Sequence, residues 1–372
     1  MSGRRVCHLV SGDTWGGLEA LVLALARTQH RSGSIEVSLL LLNDGRLAAT
    51  AREAGLAVWI VAERGLGLRP LARAVGAALN DIRPEVVHSH RYKENLLAFL
   101  LAPARKIRCV VTIHGFEPPT RIGARVRVAL RDAVTFRLGY RAEARFAAVS
   151  TDLLDRYRIR PDAAHVVPNG VAVPDHITRP AVWTERMHTE PPTIGWIGRM
   201  VPIKALELLI EAFRRLPGGE SPPQLVLIGD GPERGALEQQ VANAGLSDRV
   251  LFTGFVTDPE RWFEGMDLFV LPSHHEGAPI ALLDALAHGV PVIASAVGGI
   301  PDIIGASGGA VLVRERDAAS WASALGNALA HPEEMARIGR RGRELVKREY
   351  SLERMAARYA ELYGATPAGG PG

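Results

Sequence analysis

The sequence predicts an α/β protein built from two doubly wound parallel sheets. Three observations carry that expectation. The chain has 372 residues, more than a single hydrophobic core usually serves. Short apolar strand-like runs alternate with segments of helical period, and continuous apolar strands between helices belong to parallel sheets covered on both faces. The alternation comes in two series, separated at 174–192 by "PDHITRPAVWTERMHTEPP", which is proline-rich and without period. Domains of 1–173 and 193–350 follow, with 174–192 as linker, a helix at 351–364 and a disordered tail at 365–372.

In the first series, "RVCHLVS" precedes the helical "LEALVLALARTQH", and "IEVSLLLLN" precedes "RLAATAREAG". "EVVHSH" leads to "NLLAFLLAPAR", then "CVVTIHG"; "RFAAVS" leads to "TDLLDRYR", then "AHVVPNG". The second series opens with "PTIGWIGR" and "KALELLIEAFRRL" and continues with "QLVLIGD", "RGALEQQVANAG" and "RVLFTGF". It ends with "LFVLPS", an apolar helix, "VPVIAS", "GAVLV" and "ASWASALGNALA". In sheets of this kind ligands sit beyond the carboxyl ends of the strands, so the loops after strands are where function is sought.

Composition narrows the classes. No apolar run reaches the ~20 residues of a membrane span. "MSGRRVCHLV" reads as a first strand rather than a signal peptide. Cys7 and Cys109 both lie in strand-like runs, which suits free thiols in a reducing compartment, the cytoplasm. Charge is unevenly divided. Residues 1–175 hold 25 Lys and Arg against 16 Asp and Glu, net +9, and the remainder holds 19 against 24, net −5. A basic N-terminal half suits an anionic partner. Residues 121–145 carry seven arginines against Asp132 and Glu143. Their spacing does not confine them to one helical face, and Gly123 and Gly139 interrupt it. A solvated basic helix and a surface drawn to the anionic inner face of a membrane are both open readings. Few aromatics are placed for base stacking, which argues against nucleic acid.

Several residues after strands have chemistry to offer. Arg199 and Lys204 in "GRMVPIK" bring two cations to the start of a helix, good chemistry for a diphosphate, though surface basic residues look the same in sequence. "LIGDGPERGALE" invites a dinucleotide reading, but Gly229, Gly231 and Gly235 do not have the G-x-G-x-x-G spacing, and "RVLFTGF" ends without a ribose-binding acid. Gly231 keeps the role of letting a base or phosphate approach. Gly16 and Gly17 either admit a ligand to the backbone or make a tight turn. His114 ends a strand, and His88 and His90 flank the end of another. They show no metal-ligand spacing, and no D-x-D occurs to hold a divalent ion. In "HHEGAPIALLDALAHGVPVIAS", Gly277, Ala278, Pro279 and Ile280 lead into a helix over 279–288 that is apolar on nearly all sides, with Pro279 suited to its first turn. Its amides can receive phosphate oxygens. Asp284 in its middle needs a partner or solvent, and Glu276 precedes it in the loop.

Together these stretches resemble the family 4 glycosyltransferases, retaining enzymes of the GT-B fold, from "GGLE" through "TIHG", "VVPNGV", "GRMVPIK" and "GDGPERGALE" to "PSHHEGAPIALLDALAHGVPVIAS" and "VGGIPDII". The family's signature is two acids separated by seven residues, matched by Glu276 and Asp284. The resemblance implies two Rossmann-like domains facing a central cleft, the N-terminal one for the acceptor and the C-terminal one for a UDP- or GDP-type sugar. It implies that Arg199 and Lys204 hold the donor diphosphate, that Glu276 lies against the donor sugar and Asp284 on the ribose, and that His114 contacts the transferred sugar. It further implies Gly17 where donor and acceptor meet, no cofactor and no metal, an acceptor that is a sugar or lipid-linked glycan, and a last helix packed back on the N-terminal domain. Three positions depart from the pattern: Asp284 where Glu is usual, Ala205 where Gly commonly follows the lysine, and Ala172 where Asp often follows "NGV". A nucleotide-sugar epimerase on the same fold and a non-catalytic nucleotide-sugar binder are the alternatives. The epimerase would need no basic acceptor face.

Overall fold

A computed structural model describes residues 3–13, 15–115, 122–176, 191–218 and 221–365. Most of the expected linker and the expected disordered tail lie outside the described residues. The chain divides into two compact units, Met1–Asn169 with Leu352–Gly372, and Gly170–Ser351.

Unit 1 is a seven-stranded parallel sheet in the order β3-β2-β1-β4-β5-β6-β7, comprising β1 (Arg4–Val10), β2 (Ile35–Leu41), β3 (Ala57–Ile60), β4 (Val86–Ser89), β5 (Arg108–Ile113), β6 (Arg145–Ala148) and β7 (Ala164–Val166). Helices α1 (Gly17–Arg31), α2 (Arg46–Glu53), α3 (Leu68–Ile82), α4 (Tyr92–Leu101), α5 (Ile122–Arg141) and α6 (Thr151–Tyr157) connect these strands. Strand side chains alternate between faces. Cys7, Leu9, Val87, Cys109 and Val111 therefore share one face, buried with Leu71 and Val75 of α3 and Leu97 and Ala98 of α4. Both cysteines are free and buried. The other parity, His8, His88, His90, Thr112 and His114, falls on the opposite face, where β1 and β4 pair His8 with His88.

Four of the seven arginines of 121–145 are better ordered than their spacing suggests; Arg121 and the side chain of Arg125 lie outside the described residues. Arg127, Arg131, Arg137 and Arg141 are exposed, with Leu130 66% and Val134 47% exposed among them. Steps of three and four residues put these six side chains along one side of α5. Gly139 does not interrupt the helix. A Cβ there would lie 2.5 Å from the Phe146 ring and 2.9 Å from the Phe99 ring, so the glycine lets α5 sit directly on the core.

Unit 2 is a six-stranded parallel sheet in the order β10-β9-β8-β11-β12-β13, made of β8 (Thr193–Ile197), β9 (Gln224–Ile228), β10 (Val250–Gly254), β11 (Leu268–Leu271), β12 (Val292–Ser295) and β13 (Val311–Val313). Its helices are α7 (Leu206–Arg214), α8 (Arg234–Asn243), α9 (Ile280–Ala287), α10 (Ile300–Ile304), α11 (Ala318–Ala330) and α12 (Pro332–Glu349). The loops after β8 and β9 are pressed together. The Met200 amide donates to the Asp230 carbonyl at 2.9 Å, and a Cβ on Gly231 would stand 2.2 Å from the Met200 oxygen. Backbone packing is thus a sufficient reason for glycine at 231.

The last helix, α13 (Leu352–Tyr363), packs on α1 in unit 1, burying Met355, Tyr359, Leu362 and Tyr363. The final carbonyls of a helix lack partners within it. Here three arginines, each the first residue of a strand, supply them: Arg4 to Gly364 at 2.7 Å, Arg108 to Tyr363 at 3.2 Å and Arg145 to Leu362 at 2.7 Å. Cations also suit the negative end of the helix dipole. Part of the positive excess of the N-terminal half is therefore spent inside the unit. Among the described residues, no helix is long and apolar enough to cross a membrane.

Candidate active site

In unit 2 the strand order reverses direction between β8 and β11, and the loops after those two strands converge. The β8 loop carries Arg199 and Lys204, and the β11 loop carries Glu276. Lys204 Nζ donates to Glu276 Oε1 at 2.6 Å, and Ser273 Oγ donates to the same oxygen at 2.6 Å. Glu276 is 8% exposed. A carboxylate so placed needs a cation and hydrogen bonds, and it has both. Both contacts fall on Oε1, and no described residue bonds Oε2. Lys204 spends one of its three N–H donors on Glu276 and keeps two. Arg199 is exposed and has no acidic partner among the described residues.

The backbone holds this arrangement. The His274 amide donates to the Ile203 carbonyl at 2.8 Å, tying the β11 loop to the β8 loop. The Gly299 amide donates to the Glu276 carbonyl at 3.0 Å. Gly298, at φ +52°, comes so close that a Cβ would lie 1.8 Å from that carbonyl oxygen. No other residue fits there. Ala205, just past Lys204, also has φ +52° and is fully buried. That is a conformation glycine adopts freely, and alanine holds it at a cost of about 1 kcal/mol.

Pro279 stands outside α9, at its N-cap with extended ψ of 119°, rather than in its first turn. Gly277, Ala278 and Pro279 are buried and Ile280 is half-buried. The first intrahelical bond runs from the Leu283 amide to the Pro279 carbonyl, so the amides of residues 280–282 precede it. Leu282, Leu283, Ala285, Leu286 and Ala287 are buried. Ile280, Ala281 and Asp284 form the accessible side of the helix, and Asp284 is half-buried there. Burial, with Glu260 nearby, pushes its carboxyl up to about 7.

The unit 1 residues lie at the carboxyl ends of β1, β4 and β5. Gly16 caps α1 and Gly17 is its first residue, and both are exposed. A Cβ on Gly16 would meet only ordinary contact, so the fold itself does not demand glycine there. Beside them Arg91 pairs with buried Glu19 at 2.5 Å. His114 is half-buried, and its Nε2 lies 3.2 Å from His90 Nδ1. His90 Nε2 in turn lies 3.0 Å from His8 Nδ1. Burial pushes His8 down to about 4, and burial with nearby Arg91 pushes His114 down to about 3. His88 and His90 are held well below the usual range, first by burial.

Among the described residues, His8, His88 and His90 are the group whose ligand atoms lie close enough to share a metal ion, within 4.8 Å. Their donor chemistry points elsewhere. Both His88 nitrogens are engaged, with Tyr363 Oη at 2.7 Å and Thr112 Oγ1 at 2.6 Å, and His8 and His90 bond each other. No lone pair is left to converge on an ion. Sequence reasoning had His88, His90 and His114 and lacked His8, Gln29, Tyr359 and Tyr363. The parity of "RVCHLVS" against "EVVHSH" is the signal that could have added His8.

With this geometry established, comparison with known proteins places the chain. Residues 191–331 match the family model for Glycosyl transferases group 1, and residues 15–173 match that for Glycosyltransferase Family 4. The 2-deoxystreptamine N-acetyl-D-glucosaminyltransferase of Streptomyces fradiae is 30% identical over 318 residues, which span 76% of this chain and 74% of that protein. The chain belongs to glycosyltransferase family 4. This transferase is thus an enzyme that moves a sugar from a nucleotide-activated donor to an acceptor. It is also 29% identical to the D-inositol 3-phosphate glycosyltransferase of Xylanimonas cellulosilytica, over 75% of this chain and 71% of that one. The Anabaena HepE protein, solved with UDP-glucose, shares the two-domain GT-B fold with a TM-score of 0.84 at 18% identity, covering 97% of this chain and 99% of that one.

The Asp284 carboxyl gives a stability test. Its folded pKa of about 7 lies above the ordinary 3.8, so the folded state binds the extra proton. Stability should therefore fall as pH rises from about 4 to about 7 and then level off. Asp284→Asn should abolish that slope. At pH 8 it should raise stability by about 1–2 kcal/mol, after solvent screening at the half-buried group is allowed for. Denaturant melts of both proteins at pH 5 and pH 8 measure it, and equal slopes would refute the raised carboxyl.

Proposed function

We propose that the transferase is a retaining enzyme that binds a UDP-type sugar with unit 2. The observation that carries this reading is the 2.6 Å Lys204–Glu276 contact at the carboxyl ends of β8 and β11. It lies in the loop that feeds α9, the helix on which Asp284 is half-buried with its carboxyl bonded by no described residue. Arg199 and the two remaining Lys204 donors meet the diphosphate, helped by the amides that open α9. Glu276 Oε2 faces the sugar, and Asp284 accepts from the two ribose hydroxyls. Gly277 and Ala278 line this loop, and Gly16, Gly17 and Gly231 let backbone approach ligand. Ionised Asp284 is the form that accepts two hydrogen bonds, so donor binding expels its proton. Support for UDP comes from HepE, which was solved with UDP and with UDP-glucose.

Leaving-group charge is met by Arg199, Lys204 and amides, electrostatic stabilisation that needs no ion. The paired Glu276 and the lone Asp284 do not form a ligand set for a divalent cation. Unit 1 takes the acceptor, a sugar or lipid-linked glycan. The exposed face of α5, with four arginines around Leu130 and Val134, has the make-up of a surface that settles on anionic lipid, cations for the headgroups and apolar side chains between them. That would put the enzyme at the cytoplasmic face of a membrane.

Calorimetric titration with UDP, GDP, ADP and their sugars tests the donor. Lys204→Ala and Asp284→Asn should each weaken the best ligand about ten- to a hundredfold, the scale of a hydrogen bond to a charged group. Folded protein that binds none of the panel would end this reading. Turnover should be unchanged by excess EDTA; loss restored by magnesium or manganese would reveal a metal. Co-sedimentation with vesicles should rise with anionic lipid and fall with salt, and the double variant Arg131→Glu, Arg137→Glu should reverse it. Equal partition to neutral and anionic vesicles would leave a soluble acceptor.

A further inference from the structure

The histidine face of unit 1 is one continuous chain of hydrogen bonds, and its direction can be worked out. The side chain of Gln29, on α1, fixes the start. Its Oε1 lies 2.9 Å from His8 Nε2, and its Nε2 donates to Tyr363 Oη at 3.3 Å. An amide oxygen only accepts, so His8 Nε2 bears the hydrogen. A neutral imidazole has one donor and one acceptor, so His8 Nδ1 accepts from His90 Nε2–H across 3.0 Å. His90 Nδ1 then accepts from His114 Nε2–H across 3.2 Å. In the second branch Tyr363 Oη takes the Gln29 amide hydrogen and turns its own O–H to His88 Nδ1 at 2.7 Å, so His88 Nε2–H donates to Thr112 Oγ1 at 2.6 Å, and Thr112 Oγ1 shares a further hydrogen bond of 2.7 Å with Tyr359 Oη. His8, Gln29, His88 and Tyr363 are 0% exposed, so water does not substitute for any link among them. Among the described residues nothing bonds His114 Nδ1, the one end of the chain that is half-exposed.

We propose that Gln29, His8 and His90 are positioning residues that hold His114 as its Nε2–H tautomer, so that unit 1 presents a bare Nδ1 acceptor to a sugar hydroxyl. The inference rests on the glycosyl-transfer reading for the ligand but not for the tautomer. An acceptor nitrogen at that end selects an alcohol O–H and rejects a carbonyl or phosphate oxygen, which brings only lone pairs. The proton order reaches α13, whose Tyr363 Oη accepts from the Gln29 amide. Rotating that amide by half a turn would reverse every bond in both branches and turn His114 into an Nδ1–H donor.

Nitrogen-15 histidine spectra of the full chain, recorded without any sugar, test this directly. Wild type should show His114 protonated at Nε2 and not at Nδ1. Gln29→Glu offers acceptors to both neighbours, so His114 should keep its tautomer while His88 switches to Nδ1–H, because Tyr363 now donates to the carboxylate. Gln29→Leu removes the anchor, and His114 should become a mixture of tautomers. Transfer kcat/KM should fall about tenfold in Gln29→Leu, the scale of one hydrogen bond to substrate, and stay near wild type in Gln29→Glu. His114 protonated at Nδ1 in wild type, or unaltered by the leucine, overturns the proposal. Should Gln29→Leu not fold, an unswitched His88 in Gln29→Glu overturns it alone. The expected spectra in a protein that transfers no sugar would uphold the relay and sink the function.

Discussion

Two parallel strands whose crossovers run to opposite sides leave a gap at their carboxyl ends, and both sheets of this transferase are organised around such a pair. In unit 2 the reversal between β8 and β11 joins residues 72 positions apart, Lys204 and Glu276. Their contact depends on geometry fixed elsewhere. Gly298 must lack a Cβ to pass the Glu276 carbonyl, Gly231 must lack one to pass Met200, and Ala205 must hold a left-handed turn. In unit 1 the reversal between β1 and β4 aligns His8 with His88. The chemistry of each unit follows from what its loops bring to that gap.

The two units solve the burial of polar groups differently. Unit 2 keeps a charge, Glu276, and meets it with a cation and a hydroxyl. Unit 1 buries His8, His88 and His90 and meets each of their ring nitrogens with another neutral group. Asp284 belongs to neither pattern. No described residue bonds its carboxyl, and burial, with Glu260 nearby, raises that carboxyl toward neutrality. On the proposed reading, in which it gains ligand hydroxyls and loses its proton in the same event, donor binding is coupled to pH.

Much of this was legible in the sequence, and what was not has physical causes. The two sheets and their order of elements could be read because buried parallel strands are continuous apolar runs. Glu276 and Asp284 could be read because acids in an apolar stretch demand explanation, and Arg199 and Lys204 because cations follow a strand. The relay could not. Gln29 looks like any polar residue on α1, and Tyr359 and Tyr363 sit hundreds of residues from the histidines they order. The arginine face of α5 was hidden by Gly139, which reads as a helix breaker until Phe146 and Phe99 are seen against it. Pro279 was placed one position too far inside its helix, a boundary that propensity does not resolve.

The split of unit 1 between the two ends of the chain also governs how the molecule is made. The ribosome delivers the first 169 residues, then all 182 residues of unit 2, and only then α13. Unit 2 is contiguous and can close as soon as it emerges, as domains generally do during synthesis. The nascent first sheet meanwhile has its histidine face uncovered, with Gln29 and His88 lacking Tyr363 and wet by solvent. Arg4, Arg108 and Arg145 wait at their strand ends for a helix terminus not yet synthesised. The histidine face of unit 1 is therefore covered only after α13 has been made, and a chain ending at residue 351 would carry all of unit 2 and lack that helix.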